Sequence, residues 1–258
     1  MEGARLSKTI DINCDLGEGF GVYTFGADES LMQYISSANI ACGAHAGDPN
    51  VMDAVVRLAK KYGVAVGAHP GFPDLPGFGR RNMQLSPDEI FHIVVYQVGA
   101  LAAFCKVHEI KMNHVKPHGA LYNLAAKDSQ IAEVIAGAIY AVNSDLILYG
   151  LAGSELIPAG EKAGLKVASE IFADRTYQPD GSLTLRKEPH AMITEINKAV
   201  NQVKTVIESG YVEAVDGTKV KLRADTVCIH GDGEQAVNFA KELRTGLNEE
   251  GVSIKPLS

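Results

Sequence analysis

Seven apolar runs alternate with seven amphipathic ones from residue 9 to the end of the chain. TIDINCD, SANIACG, VAVGAH, MNHVKPH, LILYGLAG, KVASEIF and TVCIHG have the length of strands, and a helical pattern follows each. Strands alternating with helices demand a parallel sheet covered by helices. The rhythm is even, and no linker or low-complexity tract interrupts it. The expectation is one α/β domain over residues 1–258, a seven-stranded TIM-like (β/α)7 barrel. A doubly wound open sheet is the alternative. VEAVDGTKVKLRA reads as a hairpin inserted at about 211–224 and turning at Asp216-Gly217. Two helix starts are explicit: Asp48 followed by Pro49, and Ser86 with Glu89 in capping-box spacing.

Charge and composition remove several function classes. A formal charge of −7 with no basic stripe argues against nucleic acid. No apolar run approaches the roughly 18–20 residues of a membrane helix, and the N-terminal MEGARLSK has no secretory apolar core. Cys14, Cys42, Cys105 and Cys228 form no CxxC pair, which fits reduced thiols and a cytoplasmic location. Cys42 and Cys228 each precede a histidine, but they read as small core residues rather than nucleophiles.

Catalytic groups of such barrels sit at the C-terminal strand ends. Here those ends are rich in ionisable residues. On the first strand Asp11, Asn13 and Asp15 share one face and Ile10, Ile12 and Cys14 the other. The polar face must look into the barrel, where an unpaired carboxylate is costly. CGAHAGDP (42–49) ends the second strand with His45 and Asp48, and its near copy VGAHPGFP (66–73) ends the third with His69. Lys116 and His118 end the fourth, Glu170 and Asp174 the sixth, His230 and Asp232 the seventh. His92, His108 and His190 fall in helical patterns and receive no role. PGFPDLPGFGRRN (70–82) reads as a lid ending in Arg80-Arg81, an arginine pair able to grip a carboxylate or phosphate.

The blocks NCDLGEGFG, NIACGAHAGDP, VGAHPGFPD, GFGRR, VKPHGALYN, EIFADRTY and IHGDG closely resemble the LamB/YcsF family, from about residue 9 to 255. That resemblance implies a barrel similar to those of the glycoside hydrolase/deacetylase superfamily. It implies ATP-dependent opening of the lactam of 5-oxo-L-proline to L-glutamate, with ATP as co-substrate and with 5-oxoprolinase subunits B and C as partners. LTLRKEPHAM (183–192) departs from the usual family pattern, though Arg186 and Pro189 remain. No GxxxxGK[ST] motif is present, so phosphorylation is expected on a partner.

Roles follow from this combination. Asp15 is the expected general base, with Asp11 and Asn13 orienting it. His45 and His69 act in acid–base exchange or bind a divalent metal together with Asp15. Lys116, His118 and His230 contact substrate or intermediate, and Glu170, Asp174 and Arg175 complete the wall. Glu18, Asp48, Arg80, Arg81 and Asp232 are further substrate-binding candidates. Two other classes stay open: a metal-dependent deacetylase or amidohydrolase without ATP, and a non-catalytic binding protein.

Overall fold

A computed structural model describes residues 8–230 and 235–258. Its strands are β1 (Lys8–Leu16), β2 (Ser37–Ala41), β3 (Ala65–His69), β4 (Met112–Val115), β5 (Ile147–Leu151), β6 (Lys166–Phe172), β7 (Tyr211–Glu213), β8 (Lys219–Lys221), β9 (Thr226–Ile229) and β10 (Val252–Ile254). β1 to β6 run in order and in parallel, and β9 pairs with both β6 and β1, closing a seven-stranded barrel. The open sheet is thereby excluded. β7 and β8 form the inserted antiparallel hairpin, which turns at Asp216-Gly217. β10 pairs with the start of β1 outside the closed ring, an addition the apolar rhythm did not signal.

The helices are α1 (Asp28–Leu31), α2 (Pro49–Tyr62), α3 (Pro87–Val107), α4 (Gly119–Ala125), α5 (Ser129–Val142), α6 (Leu156–Ala163), α7 (Ile196–Ser209) and α8 (Ala236–Glu249). Asp48 caps α2 by accepting from the amides of Asn50 and Val51, and the Ser86–Glu89 capping box opens α3. α7 begins at Ile196, so His190 lies before it and not in a helix; the residues just ahead of α7 are bridged to Asp174, Arg175 and Thr176. α3 is long and apolar enough by composition to cross a membrane, contrary to the sequence expectation. In the fold it buries Ile90, Val94, Val98, Leu101 and Cys105 and packs against α5, β3 and β4. Each such aliphatic side chain contributes about 1.5–3 kcal/mol on burial.

The outward faces of β1 show how the sequence sets the site. Ile10, Ile12 and Cys14 are fully buried in the main core cluster, while Asp11 and Asn13 are equally buried on the inner face. A polar inner face cannot be filled by packing alone, so every inward group must find a partner.

Candidate active site

The barrel interior is a column of hydrogen bonds. At its floor Asp11 accepts from Ser36, Ser37 and Thr226 at 2.6, 2.8 and 2.6 Å and from Tyr149 at 3.0 Å. Burial raises this carboxyl despite those donors. Asp11 therefore ties four strands together; it neither touches Asp15 nor reaches the cavity. Asn13 donates to Glu170 at 2.9 Å and to Thr226 at 2.8 Å, and its carbonyl oxygen accepts from Asn39 at 2.7 Å. It orients charged neighbours instead of meeting a ligand.

Above them lies Lys116, directly after β4 and 3% exposed. Its ammonium is 3.0 Å from Asp15 and 3.0 Å from Glu170, with Cys228 Sγ also at 3.0 Å. Burial would lower the ammonium, but Asp15 and Glu170 outweigh it and hold Lys116 well above its ordinary value. Burial would raise Asp15, yet His69 and Lys116 hold its carboxyl well below the usual carboxylate range. Those two neighbours favour the anionic form of Asp15. Tyr122 completes the group by donating to Glu170 at 2.6 Å. Burial pushes the Cys228 thiol well above its ordinary value against the pull of Lys116, so it is no ready nucleophile. It is fully buried in the main core cluster, as expected, with its strand position in register with Asn13.

His114 and Asn39 were missed by the sequence reading. His114 donates from Nε2 to Asn39 Oδ1 at 2.8 Å and stacks on Tyr149 with centroids 4.1 Å apart. Gly67 makes the room: a Cβ there would lie 2.2 Å from the His114 ring. Alternation of His114, Lys116 and His118 was the available signal. Burial, then the charges of Lys116 and His69, depress His114 to about 3. An unfolded imidazole takes its proton near about 6.5, whereas the folded one takes it only near 3. Stability is full above the unfolded value and is lost as pH falls between the two. The expected slope is about 1.4 kcal/mol per pH unit from this group. Urea melts at stepped pH should show it, and His114→Gln should remove that portion of the slope.

At the mouth three imidazoles and a carboxylate converge. Ligand atoms of Glu18, His45, His69 and His118 lie within 4.8 Å of one another. His69 is the last residue of β3, but His45 stands four residues beyond β2, so the two Gly-Ala-His copies are not equivalent in the fold. Their rings still meet, with centroids 5.5 Å apart, and His45 stacks on His118 at 3.7 Å. His69 Nδ1 donates to the Lys116 carbonyl at 2.7 Å, and His118 Nε2 donates to the Phe78 carbonyl at 2.8 Å. Their remaining nitrogens face each other at 2.9 Å, where a shared proton or a cation is needed. Both ring nitrogens of His45 are buried without a hydrogen-bond partner. Burial first, then the neighbouring imidazoles, hold His45 well below its ordinary value, and His118 at about 3. Imidazoles oriented by backbone carbonyls are metal-ligand chemistry. The group fits a divalent cation, with Glu18 in the place expected for Asp15. Gly79 shapes this cradle, since a Cβ there would lie 2.7 Å from His45 and 2.8 Å from His118.

On the opposite wall His230 Nδ1 donates to Asp174 at 2.6 Å, and Phe172 stacks on the His230 ring. Asp15, Glu18, His69, Lys116, His118 and His230 all border one cavity of about 570 Å³ of empty space that opens to solvent, together with Arg80, Arg175 and Arg186. Asp48 does not join them: its carboxylate caps α2 and accepts from Gly21 at 2.7 Å. Arg81 also stays outside, bound to Asp74 with its side chain 67% exposed. That contact, with the Phe78 and Gly79 carbonyls accepting from His118 and Ala120, ties residues 70–82 over the mouth. Asp232 lies outside the described residues.

A closed parallel barrel carrying these groups on its C-terminal strand ends defines an α/β-barrel enzyme of the hydrolytic kind. The chain belongs to the LamB/YcsF family, whose model matches residues 10–258. It is 60% identical over 250 residues to the 5-oxoprolinase A subunit of Geobacillus thermodenitrificans, covering 97% of each chain. It is 44% identical to the crystal structure of a lactam utilization protein from Thermus thermophilus, with a TM-score of 0.92 over 96% of this chain and 100% of that one. A putative cellobiose-phosphate cleavage protein from Enterococcus faecalis shares the fold alone, at 12% identity and a TM-score of 0.58 over 96% of this chain and 97% of that one.

Proposed function

We propose that this chain is the lactam-opening component of an ATP-dependent 5-oxoprolinase, converting 5-oxo-L-proline to L-glutamate with partner subunits B and C. The observation that carries the reading is the full-length match at 60% identity to a 5-oxoprolinase A subunit. An amidohydrolase acting without ATP is not favoured by that match.

A lactam is an unactivated amide. Transfer of the γ-phosphoryl group of ATP to the lactam oxygen leaves ADP and an electrophilic ring carbon. Water adds to that carbon, losing a proton to a base. The carbon–nitrogen bond then breaks as the nitrogen gains a proton and the new hydroxyl loses one, becoming the carbonyl of a γ-glutamyl phosphate. A second water cleaves this to glutamate and phosphate, so the whole consumes one ATP and two waters. The chain lacks a GxxxxGK[ST] motif, and the phosphoryl transfer is assigned to a partner.

The cavity supplies the remaining groups. His230, oriented by Asp174 through Nδ1, presents the imidazole arrangement of a general base, the role first expected of Asp15. Lys116 would stabilise the negative charge that develops on the carbonyl oxygen of the acyl phosphate when the second water adds, and Asp15 and Glu170 hold Lys116 in place. Glu18, His45, His69 and His118 would hold a divalent metal such as zinc. When bound, that ion supplies Lewis-acid polarisation and a water of lowered pKa.

The test is glutamate release from 5-oxo-L-proline and ATP by this chain alone and with subunits B and C. Release only in the mixture supports the reading. ATP-dependent release by the chain alone would end the division of labour.

A further inference from the structure

Arg175 follows β6 and is 6% exposed, deeper than a free arginine sits. One guanidinium nitrogen donates to the Thr184 carbonyl, while Nε is buried with no hydrogen-bond partner. Arg186, exposed on the same excursion, borders the same cavity as Arg175 and Arg80. Neither Arg175 nor Arg186 is in an ion pair among the described residues; the adjacent Asp174 gives one oxygen to His230, while its other oxygen is buried without a hydrogen bond and its charge attracts both arginines. Burial and then the charge of Arg186 lower Arg175 from its ordinary value. Two like charges at one cavity wall, one with a buried N–H lacking an acceptor, repel each other and are costly. An oxyanion between them would remove both penalties, and guanidinium forks match its geometry.

The floor of the cavity is different. There one ammonium, Lys116, faces two carboxylates, Asp15 and Glu170, so this end of the cavity keeps negative charge and has no place for a further anion. An anion therefore belongs at the arginine rim, with the group to be opened below it near Lys116 and His230. A phosphoryl group carries about 1.5 to 2 negative charges at neutral pH, against one for a carboxylate. Three guanidiniums at one cavity suit the larger charge.

We propose that Arg175 and Arg186, assisted by Arg80, form an oxyanion subsite for the phosphoryl group of the activated lactam and of the acyl phosphate it becomes. The proposal rests on the ATP-driven reading above and assigns this chain a phosphorylated substrate delivered by its partner. The other anion of the same chemistry is the carboxylate of 5-oxo-L-proline itself.

Calorimetric titration of the full chain with inorganic phosphate, and separately with 5-oxo-L-proline, separates the two. Phosphate is expected to bind the unaltered chain and to lose about tenfold or more in affinity in both Arg175→Gln and Arg186→Gln. 5-Oxo-L-proline is expected to change by less than about threefold in Arg186→Gln. Arg186 is exposed, so its variant keeps the test open if Arg175→Gln fails to fold. Equal phosphate affinity in all three chains would mean an adventitious ion only and would overturn the proposal. A loss for 5-oxo-L-proline as large as that for phosphate would overturn it too, placing the carboxylate there. Phosphate titration needs no ATP, partner or turnover. Arginine-dependent phosphate binding beside a mixture that makes no glutamate would thus sink the 5-oxoprolinase reading and keep the subsite.

Discussion

Lys116→Met is expected to lower the stability of the fold by about 3–5 kcal/mol, the cost of removing one member of a buried charge group. The reason is what remains. Glu170 is fully buried and Asp15 nearly so, and both point at the missing ammonium across 3.0 Å. Tyr122 and Asn13 still donate to Glu170, but hydrogen bonds from neutral groups do not replace a charge. The carboxylates must then bind protons, so the loss should grow as pH rises. Chemical denaturation at two pH values measures it. The double variant Lys116→Met/Glu170→Gln should recover part of the loss, because only one carboxylate is left without its cation. A single variant as stable as the parent would show that the ammonium does not neutralise these carboxylates.

Asp15→Asn is expected to fold normally and to lower glutamate formation by about 100-fold to 1,000-fold. Lys116 keeps Glu170, and an asparagine oxygen can still accept from Asn39, which donates to Asp15 at 2.8 Å. What disappears is the fixed negative charge beside Lys116 and His69, at 3.0 and 3.3 Å. Without it the ammonium shifts toward Glu170, away from the cavity, and the His69–His118 contact loses its counter-charge. Steady-state rates in the three-subunit mixture, with a melting curve as control, report the effect. Parental turnover would remove Asp15 from the chemistry.

Much of this arrangement was legible in the sequence because barrels impose simple rules. Period-two alternation on β1 placed Asp11, Asn13 and Asp15 on the inner face. Strand ends placed His69, Lys116 and His230 at the mouth. What the sequence left ambiguous was depth and partnership. Asp11 and Asp15 share a face, yet the first is sealed among hydroxyls at the floor and the second borders the cavity. Asp48 had two readings, cap and ligand, and only geometry shows its oxygens spent on amides. The arginine pair at 80 and 81 splits because Asp74 captures one of the two. Glu18 could not be ranked above Asp15 as a partner for the histidines without knowing that β1 ends at Leu16 and the chain turns back over His45. Arg186 lies far from any strand end and enters the site only through the long return after β6.

In the proposed reaction the lactam opens inside this barrel, with His230 moving the proton. The most direct measurement is glutamate release by the mixture of subunits B and C with the His230→Asn chain, compared with the unaltered one. Asparagine keeps a donor toward Asp174 but cannot accept the proton from water. The variant chain is expected to fold and to lower the rate by about 100-fold to 10,000-fold. An undiminished rate would mean that the partners open the ring and that this chain only binds.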